Sequence, residues 1–484
     1  MSWVVDMEKK LEDAEQPDKV ERWPRHCIVR VPLRFKMVDG SVYKPRTVSL
    51  GPFHHDDVEL KPMEMHKLRA VRHLLHRDSC KTTLAELVAA VDEVADELED
   101  SYMDLGDEWR GQKNRGKFLE MMISDGCFLL EVMRAAARKR SIPNDYAHGD
   151  PVFSRDGIQQ IKPFVQRDML MVENQLPLRL LERIVAAEDG TSPVRRLLTA
   201  SGLFNFSYIW TSMMVHACMQ SAASINSMVL KFLEREDAPE EIVLGLHPLD
   251  IYRTSRLKHK SQRKSNRKVL HRGMPTAPTT EEVNMVRLQR AVPRSAWTLY
   301  KSGIRFLPSG TSCLDDIDLV NGRLYMPSVL LDDSTVYRVL NMMAFEAIHV
   351  GTRDDVTAYV FFVKDLVDSA HDVRLLARKG ILEHNLADDD AVVRLFNRLT
   401  ADVSQNWESQ LSRVRMNVEH HYRSNHHRNG VHVFLYESWA NLRSKYLRSP
   451  WTLLGLLTAT LLLVAEIVQA VYAVKSYYEP DKGN

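Results

Sequence analysis

Apolar residues recur every three or four positions along most of this chain, which predicts a mainly α-helical protein. In residues 83–102, for example, the apolar side chains share one predicted helix face and seven acidic residues occupy the other. The acidic face is interpreted as a solvated helix surface. Helices are also predicted for 61–76, 117–140, 159–187 in two pieces that separate at Pro177, 203–235, 294–301, 335–349, 356–369, 389–399 and 403–445.

Short stretches in each half show the alternation and turn residues that are typical of strands. Residues 27–55 contain IVRVPLRF and are punctuated by proline and glycine, which predicts one or two strands and an ordered loop. Asn321-Gly322 in the second half indicates a hairpin turn. The predicted fold class is therefore mainly α with small β elements (α+β). Most of the chain is expected to form one large helical body. The strands predicted around the hairpin are 304–307, 313–318 and 323–326.

The segment WTLLGLLTATLLLVAEIVQAVYAV, residues 451–474, is apolar for longer than any other part of the chain. Its 24 residues would form a helix about 36 Å long, enough to cross a hydrocarbon core of about 30 Å. We therefore expect one C-terminal transmembrane helix at 450–474, in the plasma membrane or an endomembrane. Three basic residues precede the segment and two follow it, which favours a cytosolic body.

Two polar residues interrupt this apolar segment. Glu466 and Gln469 are three residues apart and share one helix face. One interpretation is a polar seam that contacts another membrane helix, including that of a second copy of the chain. The other is an acid near the membrane interface, where its cost is tolerated.

The order of these segments predicts the domain organisation. Residues 253–272 hold nine lysines or arginines and no acid, so we expect a disordered linker there. This tract is interpreted as a solvated loop, with an anionic-lipid contact, a nuclear-localisation-like stretch and a nucleic-acid patch as alternatives. The predicted parts are a flexible arm at 1–24, a helical half at 25–250, the basic linker at 251–282, a second half with a small β element at 283–446, the membrane helix, and a tail at 475–484.

The overall charge and the motif content exclude several classes of protein. Lysine plus arginine number 65 and aspartate plus glutamate 64, so no nucleic-acid partner is expected. The five cysteines are widely spaced and contain no CxxC pair, which favours reduced thiols over a disulfide framework or a zinc site. Phosphate-loop, dinucleotide, zinc-protease and serine-hydrolase signatures are absent. We accordingly expect no cofactor and no enzymatic activity.

A group of histidines and a carboxylate lies near the N-terminus. His54, His55 and Glu64 occur within a dozen residues, a composition that suggests a metal site. Adjacent histidines on a loop diverge, however, so we predict that no metal binds here. The preferred interpretation is structural: Gly51-Pro52 turns the chain and the histidines hold this turn to the following helix.

The most unusual polar cluster is Glu173-Asn174-Gln175, which interrupts an apolar region just before Pro177. In an enzyme, Glu173 would act as a general base beside two amides that orient the substrate. The preferred interpretation is that these side chains satisfy backbone groups left open where Pro177 breaks the helix. Arg167 and Asp168 lie one to two helical turns earlier, close enough to pair with the cluster.

A series of motifs, taken in order, resembles the plant family called domain-of-unknown-function 247. The resemblance extends from about residue 27 to 474, and its strength comes from the order of many motifs. The motifs are VPLRF, YKPRTVSLGPFHH (43–55), LKPMEMHK (60–67), FLEMMISDGCFLLEVMR (118–134), RDMLMVENQLPLRLL (167–181), SAWTLYKSGIRF (295–306), SAHDVRLLARKGI (369–381) and Pro450-Trp451.

The resemblance implies a membrane-associated plant protein with no assigned enzymatic activity. Some grass members of the family are linked to self-incompatibility, as candidate recognition factors on the pollen side. LNMMAFEA at 340–347 departs from the family pattern, and the basic tract at 253–272 lies in a region whose sequence varies within the family. The function expected is that of a membrane-anchored interaction or recognition protein with unknown protein partners. An unrecognised enzyme that uses the Glu173 cluster is the alternative.

Overall fold

A computed structural model describes most of the chain in two helical halves. The first half lies before residue 258 and the second begins at residue 294. The residues described are 3–5, 7, 8, 11, 26–77, 80, 82–137, 146–189, 223–235, 243–257, 294–401, 403, 411–424, 458, 459 and 461–472.

The first half is a bundle of helices around one buried helix. Its helices are α1 Leu33–Asp39, α2 Glu64–His76, α3 Leu84–Asp92, α4 Ala95–Asp100, α5 Arg115–Ala137, α6 Arg155–Asp168, α7 Leu178–Glu188 and α8 Pro248–Ser255. Helix α5 packs against α2, α3, α6 and α7, and every residue from Met121 to Met133 is buried. The apolar spacing correctly predicted this helix, but its burial on all sides includes Asp125 and Glu131, which need partners in the core.

Capping explains where several helices begin. Thr83 Oγ1 accepts the Glu86 N–H at 3.3 Å, and the Thr83 N–H donates to Glu86 Oε2 at 2.9 Å. This reciprocal capping box starts α3. The single helix expected over 83–102 is divided, because the chain leaves α-helical geometry between α3 and α4.

The strands expected in residues 27–55 are not formed. Only one isolated bridge pairs Ile28 with Tyr102, and residues 33–39 form α1 instead. Pro32 precedes the helix with φ −57° and ψ 148°, a conformation suited to the residue before a helix. Alternation over so few residues did not distinguish a strand from a short helix that buries Phe35.

The second half combines two small sheets with helices, which include the helical residues 411–424 in addition to the elements below. Strand β3 pairs with β1 in parallel and with β2 antiparallel, while β4 pairs with β5 in parallel. Asn321 (φ 50°) and Gly322 (φ 74°) form the predicted hairpin turn. Of the stretch 313–318, only Asp318 belongs to a strand. The elements are α9 Ala296–Lys301, β1 Arg305–Pro308, β2 Asp318–Val320, β3 Arg323–Met326, β4 Val329–Leu331, α10 Asp333–Ile348, α11 Asp355–Leu366, α12 Ala370–Arg378, β5 Leu382–His384 and α13 Asp389–Thr400.

A buried ionic network joins three helices of the first half. Glu131 is 1% exposed and accepts hydrogen bonds from Arg77 at 2.8 Å and from the Tyr146 hydroxyl at 2.9 Å. Its second oxygen lies 3.0 Å from Nδ1 of His73. Burial opposes ionisation of Glu131, but the His73, Arg77 and Arg134 contacts outweigh it and lower its pKa to about 2.

The basic tract starts inside the folded body. Helix α8 extends to Ser255, and Arg253 is buried against Glu346 with Nε to Oε1 at 2.8 Å. The linker boundary predicted at residue 251 is therefore wrong, because a charge-rich composition did not reveal that Arg253 has a buried acidic partner. Arg253 is also not free to meet a lipid surface. Residues 258–272 lie outside the described residues.

Within the part of the chain that the structure covers, no helix combines the length and the apolar character needed to cross a membrane. Of the predicted span 450–474, residues 458, 459 and 461–472 are described, and they are helical. The transmembrane helix stays a prediction.

Candidate functional site

The polar cluster found in the sequence lies in a turn between α6 and α7. Helix α6 ends at Asp168 and α7 begins at Leu178. The break between the helices therefore begins eight residues before Pro177 and ends at Pro177. Residues 169–177 are irregular and largely buried, and their main-chain groups need hydrogen-bond partners there. We call the buried polar side chains that connect this turn and its neighbouring segments the polar hub. They are Asp125, Asp168, Glu173, Asn174, Gln175 and Asn341.

Asp168 binds three consecutive backbone N–H groups of the segment after α1. Its Oδ2 accepts from Arg46 at 3.1 Å, from Thr47 at 2.7 Å and from Val48 at 3.0 Å. The carboxylate is fully buried and also contacts Arg167 at 3.0 Å. It therefore anchors a loop that is more than 100 residues away in sequence.

Asn174 holds the next part of the same loop. Its Oδ1 accepts the Leu50 N–H at 2.7 Å, and its Nδ2 donates to the carbonyls of Val48 and Asp168, each at 3.0 Å. All of these partners are main-chain atoms. The side chain is fully buried, and its hydrogen bonds close the turn and connect it to residues 48–50.

Gln175 links the turn to a third element. Its Nε2 donates to the carbonyls of Met169 at 2.7 Å and Met171 at 2.6 Å, while its Oε1 accepts the Leu249 N–H of α8 at 3.1 Å. The carbonyl of Gln175 accepts the Tyr102 hydroxyl at 2.9 Å. Gly51 has φ 79° and lies so close that a Cβ there would sit 2.9 Å from this carbonyl.

Asp125 and Lys67 extend the hub into the core of the first half. Both side chains are fully excluded from solvent, and Lys67 Nζ lies 2.6 Å from Asp125 Oδ1. Asp125 Oδ2 accepts the Gly51 N–H at 2.7 Å. Lys67 also contacts Glu64 at 2.6 Å and Ser49 at 2.9 Å. Glu64, one of the candidates from sequence, thus neutralises a buried lysine.

Glu173 lies at the edge of the hub and is 3% exposed. Its Oε1 accepts the Val31 N–H at 2.6 Å and contacts Lys36 Nζ at 2.7 Å, and its Oε2 lies 3.5 Å from Nε2 of His54. Burial opposes ionisation, but His54, Lys36 and Val31 outweigh it and lower the Glu173 pKa. Nδ1 of His54 faces Asp57 at 3.0 Å, so an imidazole lies between two carboxylates.

The two adjacent histidines do diverge. His54 points to Glu173, whereas His55 packs edge-on against Trp109 with ring centroids 5.2 Å apart. Among the residues described, no group of three or more His, Cys, Asp or Glu side chains has the geometry to hold a metal ion. His54 joins the Glu173 cluster, as a holder of the turn at 51–54, and His55 does not.

Asn341 is a hub residue that the sequence interpretation missed. It lies on α10, and its Oδ1 accepts the Val172 N–H at 2.9 Å. Its Nδ2 donates to the Val42 carbonyl at 2.8 Å. One amide of the second half therefore holds two separate segments of the first. The sequence signal was a fully polar side chain within the apolar run LNMMAF, as Asp125 was within α5.

The hub is chemically closed except at its edge. The side-chain bonds of Asn174, Gln175 and Asn341 all go to main-chain groups. Such groups have no free donor or acceptor to orient a substrate. The Lys36–Glu173–His54–Asp57 row approaches the surface, where Lys36 is one-third exposed, and the Asp125–Lys67 pair approaches it through Glu64.

The membrane-helix candidates are separate from the hub. Glu466 and Gln469 belong to the helical residues 461–472, and both are exposed.

Comparison with known proteins identifies the class. The plant family DUF247, described as a plant protein of unknown function, matches residues 28–465, so the chain belongs to this family. The resemblance noted from the motifs is confirmed. No solved structure matches the chain at a significant level.

Two curated relatives come from Arabidopsis thaliana. UPF0481 protein At3g47200 is 26% identical over 481 residues, covering 95% of this chain and 88% of its own length. Putative UPF0481 protein At3g02645 is 23% identical over 533 residues, covering 98% of this chain and 95% of its own. The similarity therefore spans both halves.

Proposed function

We propose that this protein is a membrane-anchored, non-enzymatic interaction protein that binds other proteins in recognition or signalling. The observation that carries the proposal is the closure of the polar hub. The side chains of Asn174 and Gln175 hydrogen-bond only main-chain groups, and Glu173 accepts the Val31 N–H beside its contacts with Lys36 and His54. The cluster thereby connects four separate main-chain segments. Such a cluster holds a scaffold together, and the binding surfaces then lie elsewhere.

The exposed side chains of the first half provide such a surface. Met65 and Leu68 lie on one face of α2 and are 65% and 50% exposed. The exposed cations Lys61 and Arg72 lie one turn before and one turn after this pair. An apolar pair between two positive charges suits a partner helix with apolar residues flanked by acids.

The described residues near the C-terminus support the anchor. In helical residues 461–472, eight large apolar side chains are between 46% and 68% exposed. They cover the helix except along the face of Glu466 and Gln469, and so large an exposed apolar surface favours an apolar environment. A bilayer supplies one, and the length of the apolar segment in the sequence agrees with a single span.

Proximity labelling in plant cells tests both parts of this proposal. A biotin ligase is fused to the N-terminus of the full chain, of a chain lacking 451–474, and of a Met65→Asp/Leu68→Asp variant. We expect the shortened chain to leave the membrane fraction, and the double variant to stay there but lose specific labelled partners. Phe164→Asp, at another half-exposed position on α6, is the control and should keep them.

The experiment can contradict the membrane anchor and the α2 binding surface independently of each other. A shortened chain that still sediments with membranes would contradict the anchor. A double variant with the wild-type set of labelled proteins would contradict the α2 surface.

An enzyme remains the second candidate, because His54 lies between Asp57 and Glu173 near the surface. In that case Glu173 would act as a general base with His54 as its proton partner. A Glu173→Gln variant that keeps the wild-type thermal stability and loses a turnover detected in a metabolite screen would favour the enzyme. Loss of stability without any such turnover favours the scaffold role.

A further inference from the structure

A surface of the second half gathers cations around two aromatic rings. Trp297 and Tyr300 lie on α9 with ring centroids 6.0 Å apart and an interplanar angle of 18°. The guanidinium carbon of Arg305 is 4.9 Å from the Tyr300 ring centre, and Nζ of Lys379 is 5.4 Å from it. Two positive charges from different elements thus meet at one ring.

A third cation adjoins this pair through the sheet. Arg323 of β3 is the direct register partner of Arg305 in β1, and both side chains are exposed. Like charges on directly paired positions of neighbouring strands repel each other. The fold therefore places charges together at a cost in stability. We call Trp297, Tyr300, Arg305, Arg323 and Lys379 the cationic patch.

No carboxylate among the described residues neutralises the charges of the patch. Within the described ranges, Arg305, Arg323 and Lys379 form no ion pair with a carboxylate, whereas nearby Arg374 pairs with Asp389 at 2.8 Å. An external anion would remove the repulsion. The uncompensated charge therefore points to an anionic ligand.

The position of the patch favours a membrane surface as the source of that anion. The Arg305 N–H donates to the Gly322 carbonyl at 2.8 Å, and a Cβ at Gly322 would meet His421 at 2.9 Å. His421 belongs to helical residues 411–424, after which the chain continues toward its apolar C-terminal segment. The patch thus lies beside the last described helix of the body.

We propose that the cationic patch binds the phosphate-bearing headgroups of anionic lipids at the membrane surface. The cations attract the phosphates, and partly buried Trp297 and Tyr300 provide the amphipathic rings that favour the interface. The patch orients the second half against the bilayer and adds a lipid preference that an apolar helix alone does not supply. The proposal rests on the membrane association proposed above.

Lipid binding by the full chain in dodecyl maltoside micelles tests the patch. The probe is water-soluble dioctanoyl phosphatidylinositol 4-phosphate, with dioctanoyl phosphatidylcholine as the neutral counterpart. Wild type should prefer the anionic lipid. The variant Arg305→Gln/Arg323→Gln/Lys379→Gln should bind it on the order of 100-fold more weakly, since each cation contributes about 1 kcal/mol and 1.4 kcal/mol is a factor of ten.

The matched control removes three exposed cations elsewhere that belong to neither proposed surface, in the variant Arg110→Gln/Lys113→Gln/Lys231→Gln, and should bind like wild type. Equal weakening in both triple variants would overturn the proposal, because it would report net charge alone. Undiminished binding by the patch variant would overturn it too, as would tighter patch-dependent binding of an acidic peptide or an oligonucleotide. A failure of the proposed membrane anchor is detected by a different measurement. In that case the full chain would not insert into neutral vesicles.

Discussion

The polar hub and the cationic patch use charged side chains in opposite ways. In the hub, each buried acid has a cation or several backbone N–H groups within hydrogen-bond distance, so its charge holds distant segments together. In the patch, exposed Arg305 and Arg323 and half-buried Lys379 lie beside one another and face no carboxylate in the described structure. The difference separates charges that stabilise the fold from charges available to a ligand.

The largest expected effect is at the buried ion pair of the hub. Asp125→Ala leaves the Lys67 ammonium buried with fewer partners and removes the acceptor of the Gly51 N–H. We expect the free energy of unfolding to fall by about 3–5 kcal/mol. Urea unfolding followed by circular dichroism measures this. A loss below 1 kcal/mol would contradict the conclusion that the charge of Asp125 stabilises the fold.

The hub amide should matter somewhat less. Asn174→Ala deprives the buried Leu50 N–H of its acceptor and two carbonyls of their donor, so we expect a loss of about 2–4 kcal/mol. Asn114→Ala is the control, since the bonds of Asn114 lie at an exposed turn and should contribute less than 1 kcal/mol. Similar values for the two asparagines would contradict the role assigned to the hub.

The buried network at Glu131 predicts a dependence on pH. Its pKa is lowered from 4.5 to about 2, so the stabilisation is complete above pH 4.5 and is lost as pH falls toward 2. The stability gap between wild type and Glu131→Gln should therefore narrow by about 3 kcal/mol over that interval. Unfolding midpoints in urea at several pH values report the gap. Exposed Glu59→Gln is the control and should show no such narrowing.

The smallest effect should have the opposite sign. Arg323→Gln removes repulsion from Arg305, so the protein should become more stable by about 0.5 kcal/mol or less. Differential scanning calorimetry at low salt measures the shift, and added salt should reduce it. Destabilisation by Arg323→Gln would show instead that the Arg323 charge stabilises the fold, as the hub charges do.

The sequence interpretation succeeded where the signal was local. The start of a helix near residue 83, the Asn321-Gly322 turn and the helix break near Pro177 depend on neighbours within a few residues. It failed at α1, where alternation was too short to separate a strand from a helix, and at the parallel pairing of β1 with β3. Parallel pairing depends on a crossover whose partners no local pattern identifies.

The candidate site shows the same limit. The sequence singled out Glu173, Asn174 and Gln175 because polar residues before Pro177 are unusual in an apolar region. Asn174 and Gln175 bond some main-chain groups of the turn itself, but the long-range side-chain partners of the cluster lie 74 to 142 residues away in the chain. Asn341 reaches across 299 residues. Composition can flag such side chains, but only folding brings the acceptors to the donors.

The sequence by itself determined the helical character of the body, the family, the hairpin turn and the apolar C-terminal segment, because periodicity, capping and turn preferences act between near neighbours. Tertiary structure alone decided that the Glu173 cluster is a closed hub, that Arg253 belongs to the body, and that Arg305, Arg323 and Lys379 meet at one surface. These outcomes depend on burial and on contacts between remote segments. The energy of a charged or polar side chain depends mainly on what surrounds it in space.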